Sequence, residues 1–191
     1  MNTAFAALRR FAKPAAPVER CGLCGIALPA NHAHLAEPAV RSLVCACTAC
    51  AVLFSDRQDG RYRRVHSRLE SLSLDLQERH LAALGVPVGL AFFYRSSATG
   101  GVIAVYPSPA GPLESLVDAA AWEALVVRDL EPDVEALLVN RVSGASDCFL
   151  CSIDRCYHLI GLIRARWQGF LGGPDVWREV EAFFAEMRSH E

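Results

Sequence analysis

Residues 21–50 read CGLCGIALPANHAHLAEPAVRSLVCACTAC, a stretch opened by the pair Cys21-x-x-Cys24 and closed by the pair Cys47-x-x-Cys50. Between the two pairs lie 22 residues, and these carry His32, His34 and Cys45. A Cys-x-x-Cys pair in a tight knuckle aims both sulfurs at one point about 2.3 Å away, and two such pairs complete the tetrahedron that a zinc ion accepts. The pattern predicts a small zinc-ribbon-like metal module, with an inner loop slightly longer than the commonest spacing.

Five cysteines and two histidines exceed what a tetrahedral ion can use. The symmetrical set Cys21, Cys24, Cys47 and Cys50 draws on both knuckles and is the preferred ligand set. Were 43–47 a strand, its period of two would put Cys45 on the face of Cys47, so Cys45 is read as an alternative ligand or a thiol packed beside the site. His32 and His34 are candidates for hydrogen bonding to the thiolates or for a second, weaker site. Five cysteines within thirty residues argue against a set of small hydrophobes in a core. Zinc is the expected metal and iron its alternative, because a rubredoxin-like site also takes four thiolates from paired knuckles. Gly25 after Cys24 suits such a knuckle; Ala51 after Cys50 does not. A 2Fe–2S cluster has the same thiolate requirement.

Outward from this stretch, the chain of 191 residues is long enough for a small module joined to a larger one. A hydrophobic content of 52% with 21% charged residues supports a packed core and argues against disorder throughout. A formal net charge of −2 argues against wholesale attraction to nucleic acid or an anionic membrane. The N-terminal run places its charges after a short apolar stretch, opposite to a secretory signal, and no run reaches the roughly 18–20 apolar residues of a membrane span. The reducing cytoplasm is then the expected compartment, with the eight cysteines as ligands and buried thiols.

The expected organisation is a flexible tail over 1–19, the metal module over 20–66, a connecting helix within 67–85 and an α+β domain over 86–191. Within the module a strand is expected near Leu43–Ala46, followed by a hairpin of Ala51–Phe54 and Arg61–Val65 turning at Asp59-Gly60. A piece with so few large apolar side chains depends on its metal, since structural zinc supplies about 10–16 kcal/mol of coupled folding energy in small modules. The connecting helix is predicted over Asp75–Leu84, capped by Ser73 and stopped by Gly85 and Pro87.

The remainder reads as strand Val86–Arg95, strand Val102–Tyr106, a rigid turn at Pro107–Pro112 and a helix about Asp118–Arg128. A second hairpin pairs Val134–Arg141 with Cys148–Ile153. After Asp154 as N-cap, Cys156, Leu159, Ile160, Ile163 and Trp167 recur on one helical face. A last helix from Pro174 aligns Val176, Trp177, Val180, Phe183, Phe184 and Met187. Two hairpins and three helices predict an antiparallel sheet of four strands covered on one face.

Nothing else carries chemistry as clearly. In a strand over 148–153, Cys148 and Cys151 face opposite sides and cannot chelate one ion, and Cys156 belongs to the helical stripe. His158 lies opposite that stripe, at the surface. Ser108 lacks the glycines of a nucleophile elbow, and no phosphate-binding loop, catalytic triad or carboxylate pair is present, so the reading leans away from an enzyme. Arg57, Arg61, Arg63, Arg64 and Arg68 form a local basic patch, of the kind some zinc ribbons use on nucleic acid; a solvated face or an acidic protein partner explains it more simply.

The segments CGLCGIALPANHAHL, LVCACTACAVLF, YRRV, VPVGLAFFYRSS, VYPSPAGPLES, LEPDVEALLV and IDRCYHLIGLIRARWQGFLGGPDVW together resemble an uncharacterised bacterial family. The resemblance runs from Arg20 to about Met187, with Cys151 a departure from the usual pattern. Members of that family tend to be encoded beside nickel–iron hydrogenase genes, which implies a setting and not a mechanism. The expectation is a non-enzymatic accessory protein of hydrogenase assembly or maturation that docks a hydrogenase subunit or maturation factor. An iron electron carrier and a zinc-ribbon nucleic-acid binder are its alternatives.

Overall fold

The local pairing of the metal stretch sets the first sheet. In the computed structural model, which describes residues 18–55, 60–74, 76, 78–108, 111–125, 130–169 and 172–190, strand β1 (Ala33–Glu37) runs antiparallel to β2 (Ser42–Ala46). Helix α1 (Thr48–Ser55) follows, and the short β3 (Arg63–Arg64) returns to β1, giving the order β2-β1-β3. The expected tail up to residue 17 and the residues Arg57 and Asp59 lie outside the described residues.

Two expectations fail here. The segment 51–54 is helical, so no hairpin joins it to 61–65. The cause is local: Cys47 stands just before the helix, and its sulfur accepts the Cys50 N–H at 3.5 Å in the manner of an N-cap. A short apolar run such as Ala-Val-Leu-Phe has no period of its own to oppose that start. Strand β1 lies where the sequence predicts a loop running through Pro29 and the histidines, because Ala33 and Glu37 are poor strand formers and the strand exists through its pairing with β2 and β3.

The larger sheet joins β4 (Leu69–Ser71), β5 (Leu90–Arg95), β6 (Val102–Ser108), β7 (Gly111–Leu116), β8 (Glu135–Asn140) and β9 (Asp147–Ser152), all antiparallel in the order β4-β9-β8-β5-β6-β7. It has six strands in place of the expected four, the additions being the two edges. β4 lies in the stretch read as connecting segment, where it pairs Leu69 with Cys151. β7 takes up part of the expected rigid turn, with Pro107 opposite Pro112, a place where an edge tolerates proline. The four central strands match expectation, although β5 begins at Leu90 and not at Val86.

Both faces of this sheet are covered, not one. Alternation sends Phe92, Tyr94, Leu138, Phe149 and Cys151 toward α4 (Ile153–Arg166) and α5 (Gly173–Ser189). It sends Phe93, Ala104, Leu137, Val139, Cys148 and Leu150 to the opposite side, against Leu81 and Leu84 around α2 (Glu78–Ala83) and Trp122 of α3 (Ala119–Glu123). The apolar run Leu-Ala-Phe-Phe-Tyr is continuous because both its faces are buried.

α2 is shorter than the predicted Asp75–Leu84, and Asp75 lies outside the described residues; Gly85 ends it as expected, at φ +74°. α3 ends by Glu123, and Arg128 of the longer predicted helix lies outside the described residues. Asp154 falls in the first turn of α4, whose N-cap is Ser152. The stripe of α5 is buried except at Trp177, which stands 37% exposed.

The small sheet leans on the large one. Ala36 and Val65 belong to the core that α4 and α5 cover. Around them Arg63 pairs with Glu131 at 3.1 Å and Asp133 at 3.5 Å, and Arg41 with Glu114 at 2.6 Å. Arg68 forks onto both carboxylate oxygens of Glu135 at 2.8 Å, and Arg61 binds Glu37 at 2.9 Å. The arginines read as a basic patch thus serve largely as intramolecular partners, with Arg64 exposed. Among the described residues no helix is long and apolar enough to cross a membrane.

Candidate metal centre

The first knuckle is a miniature hairpin. The Gly25 N–H donates to the Cys21 carbonyl at 2.8 Å and the Cys21 N–H to the Ile26 carbonyl at 2.8 Å, folding Cys24 back over Cys21. Gly25 sits at φ +77°, which a side chain would strain. Gly22 binds the Cys45 carbonyl through its N–H at 2.8 Å, and a Cβ there would meet Val44 Cγ1 at 2.7 Å. The knuckle is therefore seated against the end of β2. The second knuckle is the start of α1, with Cys47 capping the helix and Cys50 in its first turn.

The two knuckles meet. The sulfurs of Cys21, Cys24, Cys47 and Cys50 all lie within 4.8 Å of one another. A tetrahedron with 2.3 Å metal–sulfur bonds has edges of about 3.8 Å, and Cys24 Sγ stands 3.8 Å from Cys47 Sγ. Donor number, softness and spacing fit a tetrahedral thiolate site. Beneath it lies a small core in which Leu28, Leu35 and Tyr62 pack with Cys21, Ala46, Cys50 and Ala51.

Electrostatics divide the four thiols. Burial works against charge on Cys21, but backbone hydrogen bonds at Cys47, Cys24 and Leu23 outweigh it and bring its pKa down to about 6. Cys50 is pushed up to about 12 by burial and by the neighbouring sulfurs. A negative charge thus settles on Cys21, and a dication binding all four must displace the proton of Cys50.

Cys45, His32 and His34 do not join this group. They gather in a second cluster, with a ring nitrogen of each histidine and Cys45 Sγ within 4.8 Å of one another. The register explains it: His34 is the direct cross-strand partner of Cys45, and His32 lies two residues before His34 on the same side. His34 Nδ1 donates to Asp154 Oδ2 at 3.0 Å, and His32 Nδ1 donates to the Pro29 carbonyl at 2.9 Å. Burial opposes charge on Asp154, yet hydrogen bonds from His34 and Ser152 hold its carboxyl below the usual carboxylate range. Asp154 is the residue the sequence reading missed in this role, since it lies 120 positions from His34 and carries no local signal beyond a helix start.

The other cysteines are core residues. Cys148 faces one side of the large sheet and Cys151 the other, where its sulfur touches Cys156 Sγ at 3.7 Å. Burial pushes Cys148 up to about 12. His158 is exposed, as expected.

Fold and site together define an α+β protein with antiparallel sheets and a four-cysteine cluster that can form a metal site. Residues 20–191 match the family of unknown function DUF5947, and the chain belongs to that family. No curated protein and no solved structure matches it.

Proposed function

We propose that this protein is a non-enzymatic metal-binding accessory protein acting in the assembly or maturation of nickel–iron hydrogenase. In this reading zinc holds residues 20–66 in shape and the α+β body docks a hydrogenase subunit or maturation factor. The observation that carries the metal half is the convergence of four sulfurs at tetrahedral spacing. The hydrogenase half rests on the resemblance of the chain, from the cysteine pattern to the Tyr106-Pro107-Ser108-Pro109 and Trp167-Gln168-Gly169 stretches, to proteins encoded in that setting. The pairing of Arg61, Arg63 and Arg68 within the chain favours a protein partner over nucleic acid.

The test combines elemental analysis, a visible spectrum and capture of hydrogenase components by the purified chain. Zinc without colour, with capture lost in Cys21→Ser and Cys47→Ser, is the expected result. Unchanged folding and unchanged capture in both variants would refute the proposal. Iron with a thiolate charge-transfer band would replace it with an electron carrier, whose reduction potential would then be the quantity to measure.

A further inference from the structure

We propose that His32, His34 and Cys45 form a second metal site, which takes a divalent first-row transition ion through two imidazole nitrogens and one thiolate and leaves one coordination position to solvent. The site is distinct from the four-cysteine cluster and shares no ligand with it.

Three observations carry this. The first is convergence: a cross-strand pair and its next same-side neighbour bring one nitrogen of each ring and one sulfur within 4.8 Å. The second is the orientation of the rings. A carbonyl only accepts, so His32 Nδ1, bonded to Pro29 and 3.6 Å from Glu19 Oε2, carries the hydrogen, which leaves Nε2 as the nitrogen that can offer a lone pair to an ion. The Asp154 carboxylate fixes His34 in the same tautomer. Carboxylate and carbonyl acceptors behind the rings are the usual supports of metal-binding histidines. The third is an unanswered atom: the His32 side chain is only 5% exposed, and its Nε2 is buried with no hydrogen-bond partner. A buried lone pair left unmatched is costly, and a metal ion answers it.

The donor set selects the ion. Imidazole and thiolate suit zinc, cobalt, nickel or copper and not magnesium or calcium. Three protein ligands with a vacant fourth position is the arrangement of an exchangeable or reactive ion, in contrast to a closed structural site. Among the described residues no fourth histidine, cysteine or carboxylate joins the cluster. The cluster borders a cleft of about 540 Å³, open to solvent and lined also by Arg155, His158 and Glu186. A fourth ligand reaches the ion from this cleft.

The test is metal counting on the full chain, stripped under reducing conditions and then dialysed against cobalt(II) or zinc(II), with the cobalt visible spectrum recorded. Two ions per chain are expected. Cys45→Ser and His32→Gln, each checked by circular dichroism, should lower the count by one and remove the cobalt signal of the mixed nitrogen–sulfur site while leaving the thiolate-only signal. Asp154→Asn, which touches no ion, should weaken the second site alone by about 10–100-fold. Failure of the four-cysteine site would instead leave one ion that Cys45→Ser abolishes, and the second site would still stand. The inference is overturned if the wild-type chain binds one ion that survives both substitutions, or two ions that both survive His32→Gln.

Discussion

Stripping the ion from the four-cysteine site should open the knuckles of residues 21–50 while the six-stranded sheet stays closed. Among the described residues the small core under the site buries only Leu28, Leu35 and Tyr62 as large side chains, with Leu23, Val44 and Phe54 packed half-buried against it, so on the proposed reading most of the local stability comes from the metal. Structural zinc binds with about 10–16 kcal/mol at a 1 M standard state. A free concentration of 1 µM corresponds to about 8.2 kcal/mol, so the linked stabilisation at that concentration is about 2–8 kcal/mol. That is roughly a thirtyfold to millionfold change in the local opening equilibrium. The readout is hydrogen exchange at the amides of Cys21, Gly22 and Gly25, each bonded at 2.8 Å within the knuckle or to β2. Amides in the β5–β6 and β8–β9 ladders, far from the site in topology, serve as the internal control. Chelation confirmed by elemental analysis, with knuckle amides exchanging no faster than before, would refute the claim that metal holds this module.

Zinc titration should displace fewer protons as pH rises. Cys21, with a pKa of about 6, passes from thiol to thiolate as pH rises through the neutral range, so the proton count at the four-cysteine site should fall across it; calorimetry on the Cys45→Ser chain in buffers of different ionisation enthalpy reads it, and a pH-independent count would contradict the assignment. Phe184→Ala empties a site in which the ring lies 6.3 Å from Phe149 and 5.5 Å from Phe183. It should cost about 3–5 kcal/mol and lower Tm by roughly 6–20 °C; a shift under 3 °C on this scale would show that the ring is not packed as described. Asp133, at φ +65° and buried, accepts from the Ser97 N–H at 3.0 Å and pairs with Arg63, so Asp133→Ala should lose about 1–3 kcal/mol in denaturant unfolding. Cys148, Cys151 and Cys156 should resist alkylation in the native, metal-free protein while exposed Cys24 reacts; mass spectrometry showing equal rates would sink that assignment.

What was legible in the sequence was local. The helix of α5 could be read from Val176, Val180, Phe183, Phe184 and Met187 because period and burial coincide there. The opposite faces of Cys148 and Cys151 followed from strand alternation alone, and the hairpin that carries them was read within a residue or two at its ends. Gly85 stopped its helix because only a residue without a Cβ adopts that φ freely. The edges were not legible. β4 and β7 are short or solvated, and their patterns do not differ from loop until a partner strand supplies the hydrogen bonds. Nor was the second covered face, since a continuous apolar run does not say how many layers bury it.

The sequence by itself supplied the candidate donors: within each Cys-x-x-Cys pair two intervening residues are just enough to turn the chain back so that both sulfurs can face one ion, while Cys45, His32 and His34 stood as alternatives. Tertiary structure decided which of these donors come together. The pairing of β1 with β2 set His34 opposite Cys45 and so drew both away from the four-cysteine cluster. The packing of α4 against the large sheet then brought Asp154 across 120 residues of chain to hold the His34 ring. Spacing along a chain can bring ligands within one turn of each other. Only strand register and packing can align groups whose separation in sequence carries no period.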